Sequence, residues 1–91
     1  MTTAIIKTAN ARKYMTQLCK HWSHRFDIAL DDATGTAQLP GGEVRFVADA
    51  ETLAVEILPK DASALPRMKE VVAEHLNRFA FREAPLSLSW S

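Results

Sequence analysis

The stretch EVRFVADAETLAVEILP, residues 43–59, decides how this chain folds. Apolar side chains alternate with mostly polar or small ones on both sides of the turn-forming segment Asp49-Ala50-Glu51. A period of two puts the apolar side chains of a strand on one face. Two strands joined by so short a connection are expected to form an antiparallel hairpin. The residues predicted to face a core are Val44, Phe46, Ala48, Leu53, Val55 and Ile57.

The segment before this hairpin continues the same alternation. Residues 26–31 form a predicted strand, residues 31–35 supply turn formers, and a short strand follows at 36–39. The sequence Pro40-Gly41-Gly42 then reverses the chain. Four strands so close in sequence favour an antiparallel meander. In the two earlier strands the predicted inward residues are Phe26, Ile28, Leu30, Ala37 and Leu39.

Two segments instead show the 3.6-residue period of amphipathic helices. The first follows a short strand at 3–8, with Thr8 or Asn10 as the predicted cap, and runs to about His24. The second spans roughly 62–80, with Ser63 as the predicted cap and Pro66 in the first turn, where its missing N–H has no helical partner. The predicted buried stripes are Ala11, Tyr14, Met15, Leu18, Cys19 and Trp22 on the first helix, and Leu65, Met68, Val72, Leu76 and Phe79 on the second.

A last alternation, at Leu86, Leu88 and Trp90, predicts that the chain ends in a strand. The element order is therefore β-α-β-β-β-β-α-β. Because the strands after the first helix are apolar on one side only, both helices are expected on the same face of the sheet. We predict a single α+β domain over residues 1–91, with two helices on one face of a mostly antiparallel sheet.

Charge and cysteine content exclude several classes of protein. Eleven basic residues balance eleven acidic ones, so no overall positive field attracts nucleic acid or an anionic membrane. A single cysteine allows no internal disulfide. The first thirteen residues, MTTAIIKTANARK, do not have the long apolar segment of a signal peptide, and no run of about 18 apolar residues occurs. We expect a cytoplasmic protein with no nucleic-acid or membrane partner.

No catalytic motif stands out. Phosphate-binding glycine loops, a GxSxG elbow and an HExxH pair are all absent from the sequence. Cys19 is the one candidate nucleophile, but it lies near a helix C-terminus and on an apolar stripe, where a thiolate is disfavoured. We predict no catalytic residue and no resident cofactor.

The three histidines are the candidate metal ligands. His21 and His24 are neighbours at i, i+3 on the first helix, and His75 lies on the second. Cys19 lies too far round the helix to join His24 on one ion. The alternative is structural: His21 and His75 flank the apolar stripes, and His24 stabilises the negative end of the helix dipole.

Two long motifs resemble a known family. The segments are ARKYMTQLCKHWSHRF (11–26) and EHLNRFAFREAPLSLSW (74–90), with a glycine-containing hairpin and an aromatic strand between them. Together they resemble the bacterial domain of unknown function numbered 2218, over nearly the whole chain. The matching positions are Tyr14, Leu18, Cys19, His21, His24 and Arg25 in the first motif, and His75, Leu76, Arg78, Phe79, Phe81, Arg82, Glu83 and Trp90 in the second.

That resemblance implies no established activity, but it suggests an accessory role in bacterial iron or siderophore handling. We therefore favour a non-enzymatic binding or accessory module with a protein or small-molecule partner, acting near the three histidines. One alternative is a metal-binding protein that uses His21 and His24. Another is a homodimer or larger oligomer joined through a sheet edge, where N–H and C=O groups are unpaired.

Overall fold

A computed structural model describes residues 2–80, Leu88 and Trp90 of the chain. Five strands, two α-helices and one 3-10 turn make up the described part. In chain order they are β1 (Thr2–Lys7), α1 (Ala11–Trp22), β2 (Asp27–Leu30), β3 (Thr34–Leu39), β4 (Gly42–Ala48), β5 (Thr52–Pro59), the 3-10 turn (Ala62–Ala64) and α2 (Leu65–Phe79).

The five strands form one antiparallel sheet in the order β1-β5-β4-β3-β2. Strands β2 to β5 form the predicted meander. The last strand of the meander, β5, also pairs with β1, the first strand of the chain. Of the predicted last strand, only Leu88 and Trp90 lie among the described residues, and Trp90 forms an antiparallel bridge with Ala4 of β1. The α+β class and the element order are confirmed.

Both helices cover the same face of the sheet. Helix α1 lies over β2 to β5, while α2 contacts β5 and α1. The inward residues predicted on β4 and β5 are all buried, as are Ala37 and Leu39 of β3. Leu30 is an exception, with 39% of its surface exposed. Leu30 is the last residue of β2, an edge strand that pairs with β3 alone among the described strands. Its side chain therefore remains partly exposed to water at the edge of the sheet.

Helix α1 ends at Trp22, two residues before the predicted limit. The backbone N–H groups of Arg25 and Phe26 both donate to the Trp22 carbonyl, at 3.0 and 2.9 Å. This turn redirects the chain into β2. At the other end, Asn10 occupies the cap position without a side-chain cap hydrogen bond, and the Thr8 hydroxyl accepts the Asn10 N–H at 3.1 Å.

The predicted cap at Ser63 is wrong. Asp61 caps the 3-10 turn instead, because its side chain accepts the Ser63 N–H at 3.1 Å. Pro66 does lie in the first turn of α2, as predicted. Since Pro66 has no N–H to donate to the Ala62 carbonyl, that carbonyl accepts the Leu65 N–H in a tighter 3-10 bond.

Two glycines permit close approaches of the backbone. Gly42 has a φ of 148°, and a Cβ there would lie 2.4 Å from the Leu58 carbonyl oxygen. At Gly35 a Cβ would lie 2.9 Å from the Cys19 Sγ, so the absent side chain lets α1 lie close to β3. Within the described residues, no helix is long and apolar enough to cross a membrane.

Candidate functional site

An apolar cleft of about 260 Å³ opens where the end of α1, the first half of α2 and the β3–β4 turn meet. Nine of the residues that the structure describes line it; eight are apolar or glycine, and the ninth is an arginine. The lining residues are Trp22, Phe26, Leu39, Pro40, Gly41, Ala64, Arg67, Met68 and Val71.

Local structure explains why these residues meet. The turn after α1 holds Phe26 close to Trp22 through the hydrogen bond from its N–H. Met68 and Val71 are three residues apart on α2 and therefore share a face. Gly41 lets α2 approach the hairpin, since a Cβ at this position would lie 3.2 Å from the Met68 Cγ.

Among the described residues, Arg67 is the only charged one that lines the cleft. Its guanidinium lies 3.2 Å from the Glu70 carboxylate, and the two side chains are 73% and 70% exposed. Ion pairs this exposed are typically weak, because water and salt screen them. The Arg67 guanidinium is therefore free to exchange Glu70 for an anionic group placed in the cleft.

A pair of histidines adjoins the cleft. The rings of His21 on α1 and His75 on α2 have centroids 5.6 Å apart, with an angle of 43° between their planes. Trp22, which also lines the cleft, lies 5.6 Å from His75 by ring centroids. Phe79 flanks the other member, 5.9 Å from His21. The cleft and the histidine pair thus share the wall made by Trp22.

The orientation of His75 is determined by a backbone contact. Its Nδ1 lies 2.7 Å from the Val71 carbonyl oxygen, which can only accept a hydrogen bond. Nδ1 therefore carries the proton, and in the neutral ring Nε2 keeps its lone pair. Nε2 is the nitrogen that can bind a proton, a ligand or a metal ion.

The other two candidate residues lie apart from this pair. His24 is exposed beyond the end of α1, and it makes no ring contact with either of the other histidines. Cys19 is fully buried, and burial raises the pKa of its thiol from 9.0 to about 11. In the described part of the chain, no three His, Cys, Asp or Glu residues gather in a metal-binding group.

Sequence reasoning missed the cleft. It treated Trp22 and Met68 as core residues and assigned no role to Arg67 or Val71. The one feature of the sequence that could have indicated the cleft is the Pro40-Gly41 turn, because Gly41 has no side chain where α2 packs against the turn. Only the packing of three separate segments shows that this turn helps to form a cavity.

The sheet-edge alternative concerns another part of the molecule. Strand β2 is the last strand on its side of the described sheet, and it is only four residues long. On the outer face of the sheet, Ile5 and Val47 are 56% and 53% exposed. Self-association through this edge stays a prediction.

Comparisons with known proteins agree with the sequence resemblance. The model of a family described as an uncharacterized protein conserved in bacteria, DUF2218, matches residues 3–91. An NMR structure of PA4090 from Pseudomonas aeruginosa is similar in fold, with a TM-score of 0.82 and 29% sequence identity. The alignment covers 99% of this chain and 93% of that one. A comparison with curated proteins finds no significant match.

Proposed function

This chain belongs to the DUF2218 family of uncharacterized bacterial proteins, and we propose that it is a non-enzymatic module that binds a small apolar acid in its cleft. The observation that carries the proposal is the composition of the cleft wall. Apolar side chains supply the surface, and one exposed arginine supplies the charge. Ligand sites commonly combine these two features, with few polar groups setting the orientation.

Cleft size limits the ligand. An apolar cavity of about 150 Å³ can hold benzene, so a cleft of about 260 Å³ suits one or two fused aromatic rings. Phe26, which is partly exposed, offers an aromatic surface for such rings, and Trp22, which is 3% exposed, adds a small part of its ring to the same wall. A carboxylate on the ring system would face Arg67, because a guanidinium binds this group through paired hydrogen bonds.

The chemistry of Cys19 supports binding rather than catalysis through this residue. A buried thiol with a pKa of about 11 is almost wholly protonated at neutral pH. The thiolate, not the thiol, is the attacking species in cysteine catalysis. Nucleophilic attack by Cys19 would therefore depend on a thiolate that is present in only a very small fraction of the molecules.

The test uses 1-naphthoate as the probe and 1-naphthalenemethanol as its uncharged counterpart. We expect naphthoate to shift the indole N–H of Trp22 and the methyl signals of Met68 and Val71 in NMR titrations. Arg67→Gln should weaken naphthoate binding by about fivefold, the effect of roughly 1 kcal/mol. The same variant should leave the affinity for the alcohol unchanged.

A matched pair of alanine positions tests whether the cleft itself is the site. Ala64 lines the cleft, whereas Ala62, in the same 3-10 turn, is exposed and does not line it. Ala64→Leu should abolish the Trp22 shift, and Ala62→Leu should preserve it. Equal binding by both variants, or naphthoate shifts confined to residues outside the cleft, would contradict the proposal.

Three further expectations, one from the family resemblance and two from the sequence itself, are separate proposals. A role in iron or siderophore handling is supported only by the resemblance and by the two neighbouring imidazoles of His21 and His75. Homodimer formation through β2 is supported by its free edge in the described sheet. A cytoplasmic location is also a prediction.

A further inference from the structure

We propose that His21 and His75 together bind one divalent transition-metal ion, at a site distinct from the apolar cleft beside it. The sequence places His21 next to His24, but the structure places it against His75 on the other helix. A metal ion held there would join α1 to α2. The proposal does not depend on the nature of the ligand in the cleft.

The separation of the two rings suits a shared ion. Imidazole nitrogens lie about 2.0–2.1 Å from zinc, and each ring centre lies about 1.2 Å farther out. Two such rings at a tetrahedral angle therefore have centres about 5.3 Å apart. The observed distance between the His21 and His75 centroids is 5.6 Å, which is close to this value.

The hydrogen bond of His75 prepares it as a ligand. Metal-binding histidines usually donate the N–H of the other ring nitrogen to a carbonyl or carboxylate oxygen, which sets the tautomer and the ring orientation. The Nδ1–H of His75 donates to the Val71 carbonyl in this way, at 2.7 Å. This hydrogen bond uses Nδ1, so Nε2 is the nitrogen of His75 that can coordinate an ion.

Aromatic neighbours restrict the two rings. Trp22 flanks His75 and Phe79 flanks His21, at centroid distances of 5.6 and 5.9 Å. His21 itself is exposed, so the remaining coordination positions of the ion would face water or a small added ligand. Imidazole ligands favour zinc, copper, nickel and iron over magnesium or calcium.

Zinc binding to untagged protein, followed by isothermal titration calorimetry, tests the site. We expect one ion per chain. Loss of an outer-shell partner alone typically weakens metal binding by about 10–100-fold, so loss of a ligand should weaken it at least about tenfold. His21→Ala and His75→Asn should both do so. His24→Ala is the matched control and should stay within about twofold of the parent protein.

The His75→Asn variant is chosen because it should keep the local structure of α2. An asparagine amide can still donate to the Val71 carbonyl but has no atom in place of Nε2. Cobalt provides the second measurement, because its paramagnetism should broaden the NMR signals of His21 and His75 before those of His24. No saturable zinc binding by the parent protein, or equal binding by His21→Ala and His24→Ala, would overturn the proposal.

Discussion

The side chain of Cys19 on α1 packs against the backbone of Gly35 on β3. The Cys19 side chain is fully buried, and a Cβ at Gly35 would come within 2.9 Å of its Sγ. Met15 lies beside it, with its Cγ 3.5 Å from the same Cβ position. The thiol therefore occupies space that the side chain of any larger residue at position 35 would overlap.

Because Cys19 is buried, we predict that its thiol reacts slowly with thiol reagents and that the rate depends strongly on pH. At neutral pH we expect a thiol reagent to label the folded protein far more slowly than the chain unfolded in guanidinium, because the pKa is about 11 rather than 9.0. The thiol is the only one in the chain, so the reaction can be followed without background. Equal labelling rates in the two states would contradict the burial.

The same pKa shift predicts the direction of a stability change at high pH. The folded state favours the protonated thiol, so its pKa is raised above the unfolded value. This contribution is fully present below pH 9 and declines as the pH rises towards 11. A Cys19→Ala variant, compared by urea unfolding across this window, should lose less stability than the parent protein.

Among the secondary-structure elements, β4 shows how adjacent residues of a strand lie in different environments, one in the core and the next in water. Phe46 is 1% exposed and its ring lies 6.2 Å from that of Trp22, whereas Val47 is 53% exposed on the outer face. On α2 the helical period does the same, burying Leu76 fully. One strand and one helix therefore supply opposite walls of one core.

We predict that Phe46→Ala and Leu76→Ala each lower the free energy of unfolding by about 2–5 kcal/mol. Each change removes buried apolar surface and leaves part of its volume empty. Val47→Ala is the control on the same strand, and it should change stability by less than about 1 kcal/mol. Chemical denaturation of the three variants measures these values. Similar losses at Phe46 and Val47 would mean that the faces of β4 are reversed.

On the scale of the whole molecule, the strand order sets how well each strand is protected. Strands β4 and β5 have a hydrogen-bonded neighbour on both sides, while β2 pairs only with β3 among the described strands. Strand β2 is also the shortest of the described strands, and its residues Asp27, Ala29 and Leu30 are exposed. Opening of β2 therefore breaks hydrogen bonds to one described strand only.

We therefore predict that amide hydrogen exchange is slowest in the centre of β4 and β5 and fastest in β2. Local opening needs less free energy where few buried contacts are lost. Native-state exchange followed by NMR should give rates at least about tenfold higher for β2 amides than for the amides of β4. Equal protection of all five strands would indicate that the sheet opens as one unit, or that β2 is covered by a partner.

The amino-acid sequence by itself determined the α+β class, the element order and most of the buried faces. These features depend on the spacing of apolar residues within each segment, and that spacing is a local property. Phe46 and Leu76 were placed correctly for this reason. The cap at Ser63 was misplaced although it is also local, because Pro66 and Asp61 compete to shape the same turn.

Only the tertiary structure decided the pairing of β1 with β5, the apolar cleft and the contact between His21 and His75. Each of these joins segments that are far apart in the chain. The periodicity of one helix shows which face is buried, but it does not show which residue of another helix lies opposite. That pairing depends on how the two helices are positioned over a shared sheet, and so on the packing of the whole core.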